Sequence, residues 1–463
     1  MRLSTTVRKG ITTAAEVARQ SSVLRKGWLT ALSAQRRALR AVSAGVPVRP
    51  KRVMFESYGG RSYACSPKAL YKEMMQDPDY ADYEFIWAFR SPENHAWLAD
   101  RDSTHRTRIV KWRTLAYYRA YFSSRVWIVN ALLPLELPKK PSQFMVQTWH
   151  GSPLKRLRTD IVTTTSHANA DYREIVRRNA LDVSRWDVLL SPSSFTSSAF
   201  ASAFDLRALG KVNILAETGY PRNTSLFRMN PERIAAIRQK IGVPDGKKAI
   251  LYTPTWREHQ YRFDLGYVYD SPLDFAQLRE LLGDEYVILF RGHYQSATQM
   301  GFEGAEDFVL DVSSVRNVNS LYAISEMLIT DYSSTFFDFM LLDRPVLFYM
   351  HDADFYAKDL RGFYLDMSEL PGDVVHTQAE VEERLQDIPA YEQRTRQSRR
   401  AFRDRFDPWE DALAPAAALR IIRERIQGAS DSPSPKSKLT RHGKHHAPPG
   451  EGSLPRVAAL SED

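Results

Sequence analysis

The chain has 463 residues, too many for one ordinary hydrophobic core, and its 43% hydrophobic content is enough to fill two. A single cysteine, Cys65, excludes an intrachain disulfide framework and a cysteine-based zinc cluster, which points to a reducing compartment. The net charge of +9 is concentrated: residues 1–50 carry ten Lys/Arg against one acid, Glu16, while the rest holds 54 basic and 54 acidic residues, a distribution unlike the spread basic surface of a nucleic-acid-binding body.

No run is apolar and long enough to span a bilayer, and no short apolar segment near the start reads as a signal peptide, so a cytoplasmic location is expected. Within residues 1–50, Val17, Leu24, Trp28, Leu32, Leu39 and Val42 fall on one arc of a helical wheel, with Arg19, Arg25, Lys26, Arg36, Arg37 and Arg40 beside or opposite it. A basic amphipathic helix with a Trp on its apolar face suits an anionic membrane surface; packing of that stripe on the protein itself is the alternative. Gly45, Pro47 and Pro50 end the segment.

From Arg52 onward β-rich runs alternate with helical stretches. Strands are expected at Arg52–Tyr58, Tyr83–Phe89, Val126–Asn130, Phe144–Thr148, Asp187–Ser191 and Val212–Ala216, with helices at Pro67–Met75, Trp112–Ser123 and Tyr172–Asn179. After Pro221-Arg222-Asn223 the alternation restarts. Strands at Lys248–Thr253, Tyr286–Phe290, Phe308–Val312, Met327–Thr330 and Pro345–Tyr349 then alternate with helices at Glu232–Ile241, Asp274–Leu282, Val318–Ser325 and Thr335–Leu342. Such alternation makes parallel sheets covered on both faces. The expected division is an arm at 1–50, an acceptor-side Rossmann-like domain at 51–225, a donor-side Rossmann-like domain at 226–427 and a disordered tail at 428–463, with a ligand cleft between the domains. A last helix over Ala412–Gln427 is expected to end at Gly428. The tail's His442, His445 and His446 read as part of a low-complexity segment rather than a metal site.

Five clusters are candidates for chemistry, each at a strand end, where open α/β sheets bind ligands, and each alone also reads as a turn, a cap or packing. The first is Trp149-His150-Gly151-Ser152-Pro153, followed by Lys155, Arg156 and Arg158. Imidazole is the side chain best suited to take a proton from a hydroxyl near neutral pH, and the turn with its basic neighbours fits an anion. The second, Thr218–Asn223, puts Arg222 at the junction of the blocks, where it either turns the chain or faces the cleft. In the third, Tyr252–Arg257, either Pro254 simply ends the strand with Trp256 as packing, or Pro254 and Thr255 lie against a base or ribose with Arg257 near an anion. The fourth, Arg291-Gly292-His293, sets a guanidinium and an imidazole on either side of a glycine. In the fifth, Met327–Leu342, Asp331, Ser333 or Ser334 can cap a helix whose free N–H groups favour phosphate, and Asp338 lies one turn further in.

Together, in this order, these clusters resemble the CDP-glycerol glycerophosphotransferase family of teichoic-acid synthesis. The stretch Ile329–Tyr349 is the most specific, Arg361-Gly362-Phe363-Tyr364-Leu365-Asp366 also fits, and the resemblance runs from about Arg52 to about Phe406. It departs at Ser152, where the family usually has Thr, and at Ser62–Pro67, which lacks the Asp-Asn common in relatives. The resemblance implies a GT-B-like α/β fold and attack of an acceptor hydroxyl on the donor's β-phosphorus, with CMP leaving. It implies His150 as catalytic base and His293 as stabiliser of charge on the reacting phosphate. Trp149, Gly151, Ser152, Pro153, Arg222, Pro254, Thr255, Arg291, Gly292, Ser333, Ser334 and Asp338 would bind substrate. The implied donor is CDP-glycerol or CDP-ribitol. The implied acceptor is an undecaprenyl-diphosphate-linked saccharide or polymer, met by a peripheral protein on the cytoplasmic face of the cell membrane. No carboxylate cluster in the sequence marks a metal pair, so neither a catalytic metal nor another cofactor is expected, and no nucleic acid. The fold alone leaves open a GT-B glycosyltransferase using a sugar nucleotide and a non-catalytic membrane-surface binding protein.

Overall fold

The computed structural model describes residues 22–161, 168–255, 261–262, 266–267, 271–292, 302–352 and 362–431. The first sheet is built from β1 (Arg49–Glu56), β2 (Glu84–Phe89), β3 (Thr107–Lys111), β4 (Ser124–Val129), β5 (Phe144–Gln147), β6 (Val188–Ser191) and β7 (Leu215–Glu217). Its order is β3-β2-β1-β4-β5-β6-β7, parallel throughout. After it come β8 (Lys248–Thr253), a small antiparallel hairpin of β9 (Tyr261–Arg262) and β10 (Gly266–Tyr267), then β11 (Tyr286–Phe290), β12 (Val309–Asp311), β13 (Met327–Thr330), β14 (Val346–Tyr349) and β15 (Val374–Val375). The second sheet runs β12-β11-β8-β13-β14-β15, again parallel.

Strand order therefore reverses in both sheets beside the first strand of the block, between β1 and β4 and between β8 and β13. Those are the switch points at which such sheets open a crevice at their carboxyl ends. The strands are apolar because both faces are covered. In β4, Trp127 and Val129 face one cluster with Met54 and Met145, while Val126 and Ile128 face another with Val53 and Phe55. In β8, Ala249 and Leu251 pack to one side and Ile250 and Tyr252 to the other. Each Val, Leu, Ile, Met or Phe among them contributes roughly 1.5–3 kcal/mol by leaving water.

Several elements differ from expectation. Strand β3, Thr-Arg-Ile-Val-Lys, lies at a sheet edge with Arg108 and Lys111 exposed, so its charged residues hide the period. The two-residue β15 is too short to show one, and residues 212–216 divide into a 3-10 turn, Val212–Ile214, and the start of β7. The last helix spans Ala414–Asp431 and runs through Gly428, which keeps helical backbone rather than capping it. That helix packs on the first sheet, not the second: Ala418, Leu419 and Ile422 join the cluster of Val53 and Phe55, and Arg425 donates to the Ile214 and Leu215 carbonyls. The chain thus returns to its first domain at the end. The basic helix occupies Ser22–Ala44. Near its end Leu39 packs on the first domain and Arg36 donates to the Leu135 carbonyl at 2.9 Å, while Val42 is 59% exposed. Its carboxyl end is therefore docked on protein. Residues 1–21, with Val17, and the tail from 432, with its histidines, lie outside the described residues.

Candidate active site between the two sheets

His150 follows β5, whose pairing with β4 is extended by the Thr148 amide donating to the Val129 carbonyl. The buried Gln147 side chain then bends the backbone: its Oε1 accepts from the Trp149 amide at 3.0 Å and its Nε2 donates to the Ala131 carbonyl. Trp149 takes a left-handed backbone conformation, φ 51°, an uncommon one for a bulky residue and one the packing must hold in place. Its indole is buried, edge-on to Phe200 and Phe204, and the imidazole of His150 stacks on it at 4.6 Å. Trp149 thus supports His150 from below.

The His150 Nδ1–H donates to the Asn130 carbonyl at 2.7 Å, at the end of β4. That bond selects the tautomer whose Nε2 is unprotonated. The residue is open to solvent yet ringed by protein. This enclosure pushes its pKa down, Arg222 and Arg158 push the same way, and the Asn130 bond opposes them. A neutral imidazole at pH 7 is what a general base requires.

Gly151 is where the two halves meet. A Cβ there would stand 3.7 Å from both Arg222 Nη2 and Ser334 Oγ, so the glycine leaves a space between them. Arg222 Nη2 donates to both oxygens of Asp338 at 2.6 Å, its guanidinium lies 4.7 Å above the Tyr220 ring, and Nη1 lies 3.9 Å from Cys65 Sγ. The helix Thr335–Met340 opens with Ser334 at its N-cap position, whose hydroxyl makes no capping bond; Ser333 Oγ accepts instead from the Thr335 amide and hydroxyl. Asp331 does not cap: it is buried and accepts from both the amide and hydroxyl of Thr255. This latch holds the Pro254-Thr255 turn against the end of β13.

On the neighbouring strand, Arg291 donates from Nη1 to the Val315 carbonyl at 2.5 Å, and burial lowers its pKa. The Gly292 amide donates to Ser313 Oγ at 2.8 Å. His293, Trp256, Arg257 and Arg361 lie outside the described residues. Ser152 and Pro153 are buried and begin a strap to the second domain. Leu154 enters that domain's core, Lys155 bridges Phe363, and the Arg156 amide and Gly362 carbonyl pair at 2.9 Å. The Tyr364 hydroxyl accepts from the Leu157 amide and donates to Asp160 at 2.5 Å. Lys155 and Arg156 therefore use their backbones for docking.

So His150, Gly151, Arg222, Ser334 and Asp338 converge, and Thr255, Arg291 and Gly292 line the same edge of the second sheet. Sequence reasoning missed Asn130 and Glu410, and within the Thr218–Asn223 cluster it singled out Arg222 but not Tyr220 or Asn223. Asn130 had a signal, a polar residue at a central strand's end; Glu410 had none.

A sequence model of CDP-Glycerol:Poly(glycerophosphate) glycerophosphotransferase matches residues 38–424. The chain belongs to that family. It is 38% identical over 364 residues to a teichoic acid poly(glycerol phosphate) polymerase of Staphylococcus epidermidis, covering 78% of this chain and 48% of the relative. It is 35% identical over 375 residues to a teichoic acid glycerol-phosphate transferase of Staphylococcus aureus, covering 80% of this chain and 92% of that one. Among solved structures, the wall teichoic acid polymerase TagF superposes with a TM-score of 0.75 at 34% identity, over 88% of this chain and 97% of that one. The chain spans about half the length of some curated polymerases it matches. The α/β fold with two Rossmann-like domains expected from the sequence is the fold found.

Proposed function

We propose that the chain transfers glycerol phosphate, or a related polyol phosphate such as ribitol phosphate, from a CDP-activated donor to a lipid-linked cell-wall polymer acceptor, releasing CMP. The observation that carries this reading is the meeting of His150, its Nε2 unprotonated, with Arg222 and the Ser334 helix start around the space beside Gly151. An acceptor hydroxyl attacks the donor's β-phosphorus; a new P–O bond forms, the bond to the bridging oxygen breaks, and CMP leaves with that oxygen. His150 Nε2 takes the hydroxyl proton. Phosphoryl transfer asks the protein mainly for positioning and charge stabilisation; Arg291 supplies positive charge, Ser333 and Ser334 supply hydroxyls, and Arg222, its charge already met by Asp338, supplies position beside Gly151. Pro254 and Thr255 bear on the nucleoside, and His293 is assigned to the reacting phosphate by family resemblance.

The glycerol-phosphate names of the relatives support glycerol over ribitol as the polyol. An undecaprenyl-diphosphate-linked acceptor and an anionic membrane surface remain part of the proposal, supported by the basic arm. Among the described residues no helix is long and apolar enough to cross a membrane. The test is CMP release from CDP-glycerol, CDP-ribitol and sugar nucleotides in the presence of a lipid-linked acceptor. CMP from CDP-glycerol is the expected result; no CMP from any CDP-polyol overturns the reading.

A further inference from the structure

The Arg222–Asp338 pair is closed off by a third segment. After the helix Ile388–Phe406 the chain crosses back to the first domain through Asp407–Glu410 and presses on the Gly219–Asn223 turn. Glu410 Oε1 accepts from the Tyr220 amide at 2.9 Å and from Asn223 Nδ2 at 3.1 Å. The same Asn223 nitrogen donates to Asp338 Oδ1 at 2.9 Å. One amide thus links the carboxyl of Glu410 to the carboxylate that holds Arg222. Glu410 Oε2, Asp407 Oδ2 and the Tyr220 hydroxyl are buried there without hydrogen-bond partners among the described residues.

We propose that Glu410 is a positioning residue for the transfer reaction, holding the Arg222–Asp338 pair in register beside Gly151 as an uncharged carboxylic acid. The inference rests on the reading of His150 and Arg222 as parts of one transfer site. Three carboxyl groups, Asp338, Asp407 and Glu410, share a buried pocket with one guanidinium, and Asp338 already neutralises it. A second carboxylate on the Asn223 amide would repel Asp338, and Arg222, already paired with Asp338, answers it only in part, a heavy cost away from water. Burial first, then Asp338, raises the Glu410 pKa to about 8; the Tyr220 amide, Arg222 and Asn223 oppose the shift. Burial, Glu410 and Asp338 hold Asp407 well above the carboxylate range. Ionisation of Glu410 pushes Asp338 away and releases the guanidinium from its place next to Ser334.

The experiment compares the 463-residue chain with its Glu410→Gln and Glu410→Ala variants, using CDP-glycerol and a lipid-linked acceptor, and follows CMP release against pH. Gln keeps the accepting oxygen and cannot ionise. We expect its kcat/KM at neutral pH to stay within about threefold of the parent, and the parent's fall above pH about 8 to vanish. Glu410→Ala should lose about tenfold or more below pH about 8, chiefly through donor KM, with the gap to the parent narrowing above it. The parent's stability should fall from pH about 4.5 to about 8, where the unfolded chain has released the proton and the folded one still holds it, so the thermal midpoint of Glu410→Gln should gain on the parent across that window. A thermal difference that is flat with pH overturns the proposal and leaves the transfer reading intact. So does an alkaline fall that Glu410→Gln retains, or a Glu410→Gln variant as impaired as Glu410→Ala at neutral pH. Absence of CMP from any CDP-polyol removes the transfer reading and this inference with it.

Discussion

His150 is prepared for its role by two contacts, a carbonyl on Nδ1 and an indole beneath the ring. Its removal as His150→Ala should lower kcat for CMP release by about 10²–10⁴-fold, with donor KM little changed. Because enclosure, Arg222 and Arg158 lower its pKa, the acid limb of the pH–rate profile should lie below the ordinary histidine value of 6.5: the base stays deprotonated as pH falls through 6.5 and is lost only further down. A limb at or above 6.5 would contradict that assignment. Arg222 and Asp338 were both foreseen as ligand-binding side chains, and they bind each other. Arg222→Ala leaves Asp338 buried with only the Asn223 amide, so a loss of about 3–5 kcal/mol in urea unfolding is expected. Adding Asp338→Asn should recover part of it, and a double-mutant cycle measures the coupling. A cycle that sums to zero would show the pair to be energetically independent.

At the scale of elements, the site depends on loops that one domain lends to the other. The 151–160 strap finds its antiparallel partner about 200 residues away, at Gly362–Tyr364, which gives a structural reason for that second motif. The Gly219 turn works the same way. Its φ is 73°, and a Cβ there would overlap the Trp409 carbonyl oxygen. Gly219→Ala should therefore destabilise the protein by about 2 kcal/mol or more, combining backbone strain with a forced shift of the returning segment. Thermal unfolding checks this; an unchanged midpoint would mean that the crossing gives way freely. Motif position at strand ends was readable from the alternation of runs, and so were the Asp and Ser of Met327–Leu342. Their division of labour was not. Asp331 has the right chemistry and spacing for a cap, and the Thr255 turn of the next strand, brought alongside by β8–β13 pairing, takes it instead.

Over the whole molecule, the final helix returns to the first sheet, so the cleft is spanned by the strap, by the Gly219–Asn223 turn and by the Asp407–Glu410 crossing. The basic helix docks on the same first domain through Leu39 and Arg36. That contact refines the membrane test. Removing residues 1–50 would also cut into β1 and strip packed side chains, whereas removing 1–35 spares them. The shorter deletion should lower recovery of the protein on anionic vesicles, and the difference should shrink as salt is raised. Equal recovery of the two proteins at low salt would show that the arm does not carry binding.

Alternating apolar runs and turn residues by themselves determined two parallel sheets and placed five polar clusters at their carboxyl ends, because strand and helix periodicities are local properties of the chain. The same locality explains what they could not reach. That Nδ1 of His150 meets the Asn130 carbonyl, that Arg222 is neutralised by Asp338, and that Glu410 closes the pocket from 187 residues beyond Asn223 are contacts between distant segments. Only burial in a shared, water-poor space sets the partners and the protonation of such groups, and that space exists only once both sheets and the returning helix have packed.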